Sequence, residues 1–159
     1  MGPKDAPVTW VVFGGWECPF SGRLPPLIEA LHEAYPETLR IVFKHVAPSH
    51  AKVGSIVAKR LLMTSQETFW TVGMKWLEKS PITEISLQEL EGIPPLTDEQ
   101  ETEARIRLEM DRELALSLGI RSTPQSVING YRLTGVKPLE TFKKIIDEEL
   151  ARSKEQRKP

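Results

Sequence analysis

The sequence is poor in cysteine, because Cys18 is the only one among its 159 residues. A single thiol excludes an intrachain disulfide, and it also excludes a zinc site built from several cysteines. A lone cysteine is usually a small buried apolar residue or an ordinary surface thiol. A chemical role for Cys18 therefore has to be argued from its neighbours.

The sequence also lacks a long hydrophobic run and an excess of one charge. No segment reaches the roughly 20 apolar residues that a membrane-spanning helix requires, so no membrane span is predicted. Lysine and arginine total 21, aspartate and glutamate total 22, and the formal net charge is -1. This balance gives no electrostatic reason to expect nucleic acid or an anionic membrane as a partner.

The first third of the chain predicts a β-α-β unit. β-branched and aromatic runs at residues 8–13 and 39–43 predict two strands. Between them, apolar residues recur at helical spacing over residues 21–35, which predicts a helix. Pro25 and Pro26 are awkward inside this helix and indicate a bend or a strained first turn. A helix that connects two strands in this way makes them parallel.

The rest of the chain predicts a helical block and then a β-β-α unit. Helical patterns occupy residues 51–63, 67–79 and 97–118, the last with Thr97 as N-cap and Gly119 as the closing residue. Asn129-Gly130 predicts a hairpin between strands at residues 125–128 and 131–134. A final helix is predicted over residues 138–150.

Together these elements predict an α/β fold with a mixed four-stranded sheet and helices on both faces. The domain is predicted to span residues 1–152, with a helical insertion at about 50–118. A charged C-terminal tail is expected over residues 153–159.

Cys18 lies where the first strand passes into the first predicted helix, within the segment Trp16-Glu17-Cys18-Pro19-Phe20-Ser21. A helix start offers free N–H groups and partial positive charge, and both favour a thiolate. We therefore expect the pKa of Cys18 to be lowered, which would make it a nucleophile for disulfide exchange. Pro19 suits the first helical turn, where its missing N–H costs nothing.

The roles of four other residues stay open at this point. Trp16 and Phe20 suit either an apolar rim for a peptide or thiol ligand, or the core. Glu17 either raises the pKa of the thiol by charge repulsion or only solvates the loop. Lys44, at the end of the second strand, either helps the thiolate electrostatically or is an ordinary surface lysine.

The segment around Cys18 resembles the Cys-Pro-x-Cys active site of DsbA-like thiol–disulfide oxidoreductases of the thioredoxin superfamily. The resemblance covers nearly the whole chain. It includes residues 119–124 (Gly-Ile-Arg-Ser-Thr-Pro), which look like the cis-proline loop, and residues 128–130, which look like the closing hairpin. It implies a thioredoxin fold with Cys18 as nucleophile. It also implies that Thr123 and a cis Pro124, with Pro19 and Phe20, shape a groove for an extended substrate.

Ser21 departs from the family, which has its second cysteine at this position. A serine hydroxyl cannot form a disulfide, so the ordinary dithiol cycle is not available within this chain. Three hypotheses remain: exchange by Cys18 alone, a redox-inactive binding or scaffold domain, or an engineered Cys-to-Ser replacement that traps complexes. For the first, Ser21 can at most donate a hydrogen bond to the thiolate.

The expected partners are protein thiols or disulfides, or glutathione as a co-substrate, and no organic or metal cofactor is expected. The sequence leaves the compartment open: periplasmic or otherwise exported if a leader was removed, and cytoplasmic otherwise. His32, His45 and His50 match no standard zinc spacing, so no metal site is predicted. The aromatic residues of the helical block, Phe69, Trp70 and Trp76, are interpreted as core rather than as the lining of a ligand pocket.

Overall fold

The structure, a computed structural model, describes residues 1–46, 51–84 and 93–156. A four-stranded sheet lies at its centre, with strands β1 (Val8–Gly14), β2 (Leu39–His45), β3 (Gln125–Ile128) and β4 (Tyr131–Thr134). The strand order is β2-β1-β3-β4. β1 is parallel to β2, antiparallel to β3, and β3 is antiparallel to β4. The predicted mixed sheet and thioredoxin fold are confirmed.

Five α-helices are described in these ranges: α1 (Leu24–Ala34), α2 (Lys52–Leu62), α3 (Gln66–Glu78), α4 (Asp98–Ser117) and α5 (Leu139–Gln156). Helices α2, α3 and α4 belong to the insertion between the two halves of the sheet. Helix α4 begins with a capping box between Thr97 and Gln100 and is followed by Gly119 at a φ of +65°. Both ends agree with the sequence prediction.

The two faces of β1 pack against different helices. Val8, Trp10 and Val12 belong to the main core, where the Trp10 ring lies 5.1 Å from that of Phe142 on α5. Phe13 packs on the opposite side with Ala115 of α4, in a smaller cluster. The sheet therefore has helices on both faces, and the C-terminal end of β1 is held between them.

The first helix differs from its prediction. A short 3₁₀ helix covers Ser21–Arg23, and the α-helix begins only at Leu24, with Pro25 and Pro26 in its first turn. A proline costs little there because the N–H that it lacks has no helical partner in any case. The two prolines therefore fix where the α-helix starts, and they do not bend its interior.

The last helix is longer than predicted. α5 continues to Gln156, so it crosses the expected domain boundary at residue 152, and residues 153–156 are helical rather than part of a tail. This segment is rich in strong helix formers, and Arg152 pairs with Glu149 one turn earlier at 2.7 Å. The charged composition was wrongly interpreted as a sign of fraying. Residues 157–159 of the predicted tail lie outside the described residues.

Candidate active site

The loop after β1 places Cys18 in a tight turn. The Cys18 N–H donates to the Gly15 carbonyl at 3.1 Å, and the Ser21 N–H donates to the Cys18 carbonyl at 3.0 Å. Cys18 therefore precedes the 3₁₀ helix. The sequence had predicted that it lies at the start of the first helix, and this prediction is wrong for the α-helix, which begins at Leu24. The difference follows from Pro25 and Pro26, which place the α-helix start further along the chain.

Cys18 meets the loop before β3. Its half-buried thiol donates to the carbonyl oxygen of Thr123 at 3.2 Å, although the two residues are 105 positions apart in the chain. The Thr123–Pro124 peptide bond is cis, as the resemblance implied. The fold therefore brings together the two segments that the sequence analysis singled out.

The surroundings of the thiol favour its ionised form. Burial by itself raises the pKa of Cys18, but hydrogen bonds from the side chains of Thr123 and Ser21, with the N–H groups of Ser21 and Phe20, lower it below its ordinary value overall. The pKa of Cys18 is therefore lowered, as the sequence predicted. The causes of this shift are hydrogen bonds from Thr123 and from the turn that holds Ser21 and Phe20, whereas the sequence had pointed to the start of an α-helix.

Ser21 is fully buried behind the thiol. Its Oγ accepts a hydrogen bond from the Gly15 N–H at 3.2 Å. This bond occupies a lone pair of the hydroxyl and leaves its proton for Cys18. Gly15 was not identified from the sequence, and no local motif would have shown it, since the contact depends on how the loop folds back.

The aromatic neighbours of Cys18 separate into two environments. Trp16 is 1% exposed and packs in the core, with its ring 5.1 Å from that of Phe43. Phe20 is 58% exposed, with the Arg23 guanidinium 5.8 Å from its ring, and Pro19 is exposed beside it. Of the two rim candidates, only Phe20 is available to a ligand.

The two charged neighbours are both engaged away from the thiol. The Glu17 carboxylate accepts a hydrogen bond from the Val53 N–H at 3.0 Å, at the start of α2. Lys44 pairs with Asp111 of α4 at 2.6 Å. Glu17 therefore does more than solvate the loop, and Lys44 is neither an unpaired surface lysine nor a partner of Cys18.

His45 is buried next to Trp16, with the two ring centroids 5.2 Å apart. Burial lowers its pKa to about 4, so the ring is neutral at pH 7. Neither of its ring nitrogens has a hydrogen-bond partner among the described residues. In the same part of the chain no group of three or more potential metal ligands is found, and His50 lies outside it.

The chain was compared with protein families, curated proteins and solved structures. No protein-family model matches the chain. A curated relative, the Na(+)/H(+) antiporter NhaA of Nitrosospira multiformis, is 29% identical over 146 residues, which cover 85% of this chain and 23% of the antiporter. The chain thus spans about a quarter of the length of that relative.

Solved structures match this chain over most of their own length. The catalytic domain of Proteus mirabilis ScsC superposes with a TM-score of 0.80 at 26% identity, covering 95% of this chain and 88% of that one. A periplasmic thioredoxin-like protein from Salmonella enterica serovar Typhimurium gives a TM-score of 0.80 at 24% identity, with 95% and 88% covered. The chain has a thioredoxin fold, and its structure resembles those of DsbA-like proteins.

One further solved structure carries its chemistry in its name. The thiol-disulfide exchange protein alpha-DsbA2 from Wolbachia pipientis superposes with a TM-score of 0.75 at 18% identity, covering 92% of this chain and 84% of that one. Among the described residues, no helix is both long and apolar enough to cross a membrane.

Proposed function

We propose that the chain exchanges disulfides through Cys18 alone, as a monothiol DsbA-like protein. The observation that carries the proposal is the contact between the Cys18 thiol and the Thr123 carbonyl, 3.2 Å apart, beside the cis Thr123–Pro124 bond. It brings a half-buried thiol against a backbone segment that can pair with an extended substrate. The hydrogen bonds that lower the pKa of Cys18 support the same assignment.

The proposed reaction has two exchange steps. The Cys18 thiolate attacks one sulfur of a disulfide, forms a mixed disulfide with it, and releases the other sulfur as a thiolate that takes up a proton. An external thiolate then attacks the mixed disulfide, bonds to the substrate sulfur, and returns Cys18 as a thiolate. No net oxidation occurs at Cys18, so neither step requires a second cysteine in this chain.

Ser21 is proposed to stabilise the leaving thiolate in the second step. Its hydroxyl is oriented by the Gly15 N–H, and its proton then lies toward Cys18. A stabilised thiolate is a better leaving group, which favours release from the mixed disulfide. The co-substrate is proposed to be a protein thiol or glutathione, and no organic or metal cofactor takes part.

The groove is proposed to be formed by Pro19, Phe20, Thr123 and Pro124, with Phe20 as its exposed apolar contact. An exported location belongs to this proposal, supported by the periplasmic protein that the chain resembles. Only 23% of the NhaA relative is matched, and ion antiport is no part of the proposal.

The test combines two measurements on the purified chain and on Cys18→Ala. The rate of alkylation against pH gives the pKa of Cys18, and mass spectrometry after addition of glutathione disulfide detects the mixed disulfide. We expect a pKa clearly below the unperturbed value of about 8.5 and a mixed disulfide that added thiol removes. A thiol with an unshifted pKa that forms no mixed disulfide would instead support a binding or scaffold domain.

A further inference from the structure

A cavity of about 870 Å³ lies along the outer edge of β2. It is lined by residues of the N-terminal segment, β2, α2, α3 and α4, and by none of the proposed groove residues. Its volume lies in the range of about 300–1,000 Å³ typical of small-molecule sites. It is therefore large enough for a ligand of its own.

The floor of the cavity is apolar and aromatic. Phe43, Leu61, Phe69 and Trp70 line it, and each is at most 9% exposed. The sequence analysis assigned Phe69 and Trp70 to the core, and they do pack there, but they also form one wall of the cavity. Such a wall favours an acyl chain or an aromatic body, which loses contact with water on binding.

Three polar groups of the lining residues Phe43 and Trp70 make no hydrogen bond among the described residues. The Trp70 Nε1–H is buried and makes no hydrogen bond within the described residues. Ile41 exchanges backbone hydrogen bonds with Met1 on the outer side of β2, and alternation along the strand directs the N–H and carbonyl of Phe43 to that same side. No described residue bonds to these two groups of Phe43, whereas the outward His45 N–H is taken by Asp111.

The charges around the cavity are mostly positive. Lys4, Arg40, Lys44 and Arg107 line it, against a single acid, Glu67. Lys44 is paired with Asp111, and Arg107 with Glu103. Lys4 and the half-buried Arg40 have no ion pair among the described residues. Two of the cations that line the cavity therefore lack a counter-charge.

We propose that this cavity binds a small amphipathic carboxylate. The apolar body lies against Phe43, Phe69 and Trp70, and the carboxylate lies between Lys4 and Arg40. A peptide strand would fit less well, because Met1 and Asp111 occupy the edge of β2 on either side of Phe43. The short free stretch of edge therefore favours a small molecule over strand addition.

The test compares three probes that share one tail: decanoate, decanol and decyltrimethylammonium. We expect decanoate to bind at least about tenfold more tightly than the cation, because only the anion gains from Lys4 and Arg40. The indole N–H resonance of Trp70, assigned with Trp70→Phe, is expected to shift with decanoate. Equal affinity for the anion and the cation would overturn the proposal.

The matched variants are Lys4→Gln/Arg40→Gln and the control Lys137→Gln/Lys154→Gln, which removes two exposed charges outside the cavity. The first is expected to lose about tenfold in decanoate affinity and to keep its decanol affinity, and the control to keep both. Cys18→Ala is expected to bind decanoate like the unmodified chain. Decanoate shifts confined to residues around Cys18 and Phe20, or an equal loss in both double variants, would contradict this site.

Discussion

The Glu17 carboxylate accepts a hydrogen bond from the Val53 N–H at 3.0 Å. Val53 lies in the first turn of α2, where the N-cap residue Ala51 has no side chain able to cap the helix. Glu17 supplies the missing cap from another part of the chain, and the positive end of the helix favours its charge. The residue before the nucleophile therefore joins the active-site loop to the helical insertion.

Replacing Glu17 by alanine is expected to lower the free energy of unfolding by about 1 kcal/mol, the usual cost of losing a helix cap. Glu17→Gln is expected to lose less, because its amide oxygen still accepts from Val53. Urea denaturation of the two variants measures the difference. Equal stability of Glu17→Ala and the unmodified chain would show that the capping bond contributes nothing.

Removing the Ser21 hydroxyl is expected to raise the pKa of Cys18, because the thiolate loses a hydrogen-bond donor. The pH dependence of alkylation measures this change in Ser21→Ala. The variant is also expected to lose about 1–3 kcal/mol of stability, since the Gly15 N–H is left without its acceptor. Ser122→Ala is the control, because that exposed hydroxyl is bonded to Gln125 on the same loop as Thr123. A shift of equal size in both variants would rule out a specific role for Ser21.

Ser21→Cys is expected to form an intrachain disulfide with Cys18 under oxidising conditions. The Ser21 N–H donates to the Cys18 carbonyl at 3.0 Å, so the two residues form a turn that brings their α-carbons within about 7 Å. The dithiol form of the variant should then reduce protein disulfides and its disulfide form should oxidise protein thiols, and insulin reduction with a thiol donor measures the first activity. Two thiols that both remain alkylatable after oxidation would show that the turn is too strained for the bond.

The sequence predicted the mixed sheet, the order of the elements along the chain, and the cap of α4 because each depends on local patterns. Asn129-Gly130 is an example: its hairpin needs two positive φ angles, and the structure has 43° and 95° there. The pairing of Cys18 with Thr123 followed only from the family resemblance, since nothing local connects residues 105 apart.

The remaining features of the site could not be predicted, because they are tertiary contacts between polar atoms. Glu17 with Val53 and Lys44 with Asp111 join segments whose approach depends on packing of the helical insertion. The bond between Gly15 and Ser21 depends on how the loop after β1 folds back on itself. The start of α1 is a different case: Pro25 and Pro26 marked it, but the apolar periodicity through residues 21–35 concealed the short 3₁₀ helix.

His45 is expected to make the fold sensitive to mild acid. Its pKa is about 4 in the folded chain and about 6.5 when unfolded, so between these values the unfolded state binds more protons. The free energy of unfolding therefore keeps its full value above pH 6.5. Protonation of His45 in the unfolded state lowers it by about 3 kcal/mol as the pH drops toward 4.

The variant His45→Phe is expected to reduce that loss. The imidazole of His45 makes no hydrogen bond with the described residues, so the phenyl ring loses none. The phenyl ring also cannot be protonated. Denaturation at pH 7.5 and pH 5 gives the change in stability for each protein, and titration of Asp111, common to both, cancels in the comparison. An identical loss in both proteins would assign the acid sensitivity to other groups.

Phe20 is expected to contribute to substrate binding without affecting the chemistry of the thiol. It is 58% exposed beside Cys18, so Phe20→Ser should leave stability and the pKa of Cys18 close to their original values. Mixed-disulfide formation with an extended cysteine-containing peptide is expected to slow several-fold, because a buried aromatic contact in a groove is worth about 1 kcal/mol or more. The control is Tyr131→Ser, which removes an aromatic side chain of similar exposure, 55%, from β4 at the far edge of the sheet. If both variants react with the peptide as fast as the unmodified chain, the exposed ring of Phe20 is not part of the substrate groove, and Thr123 and Pro124 must hold the peptide without it.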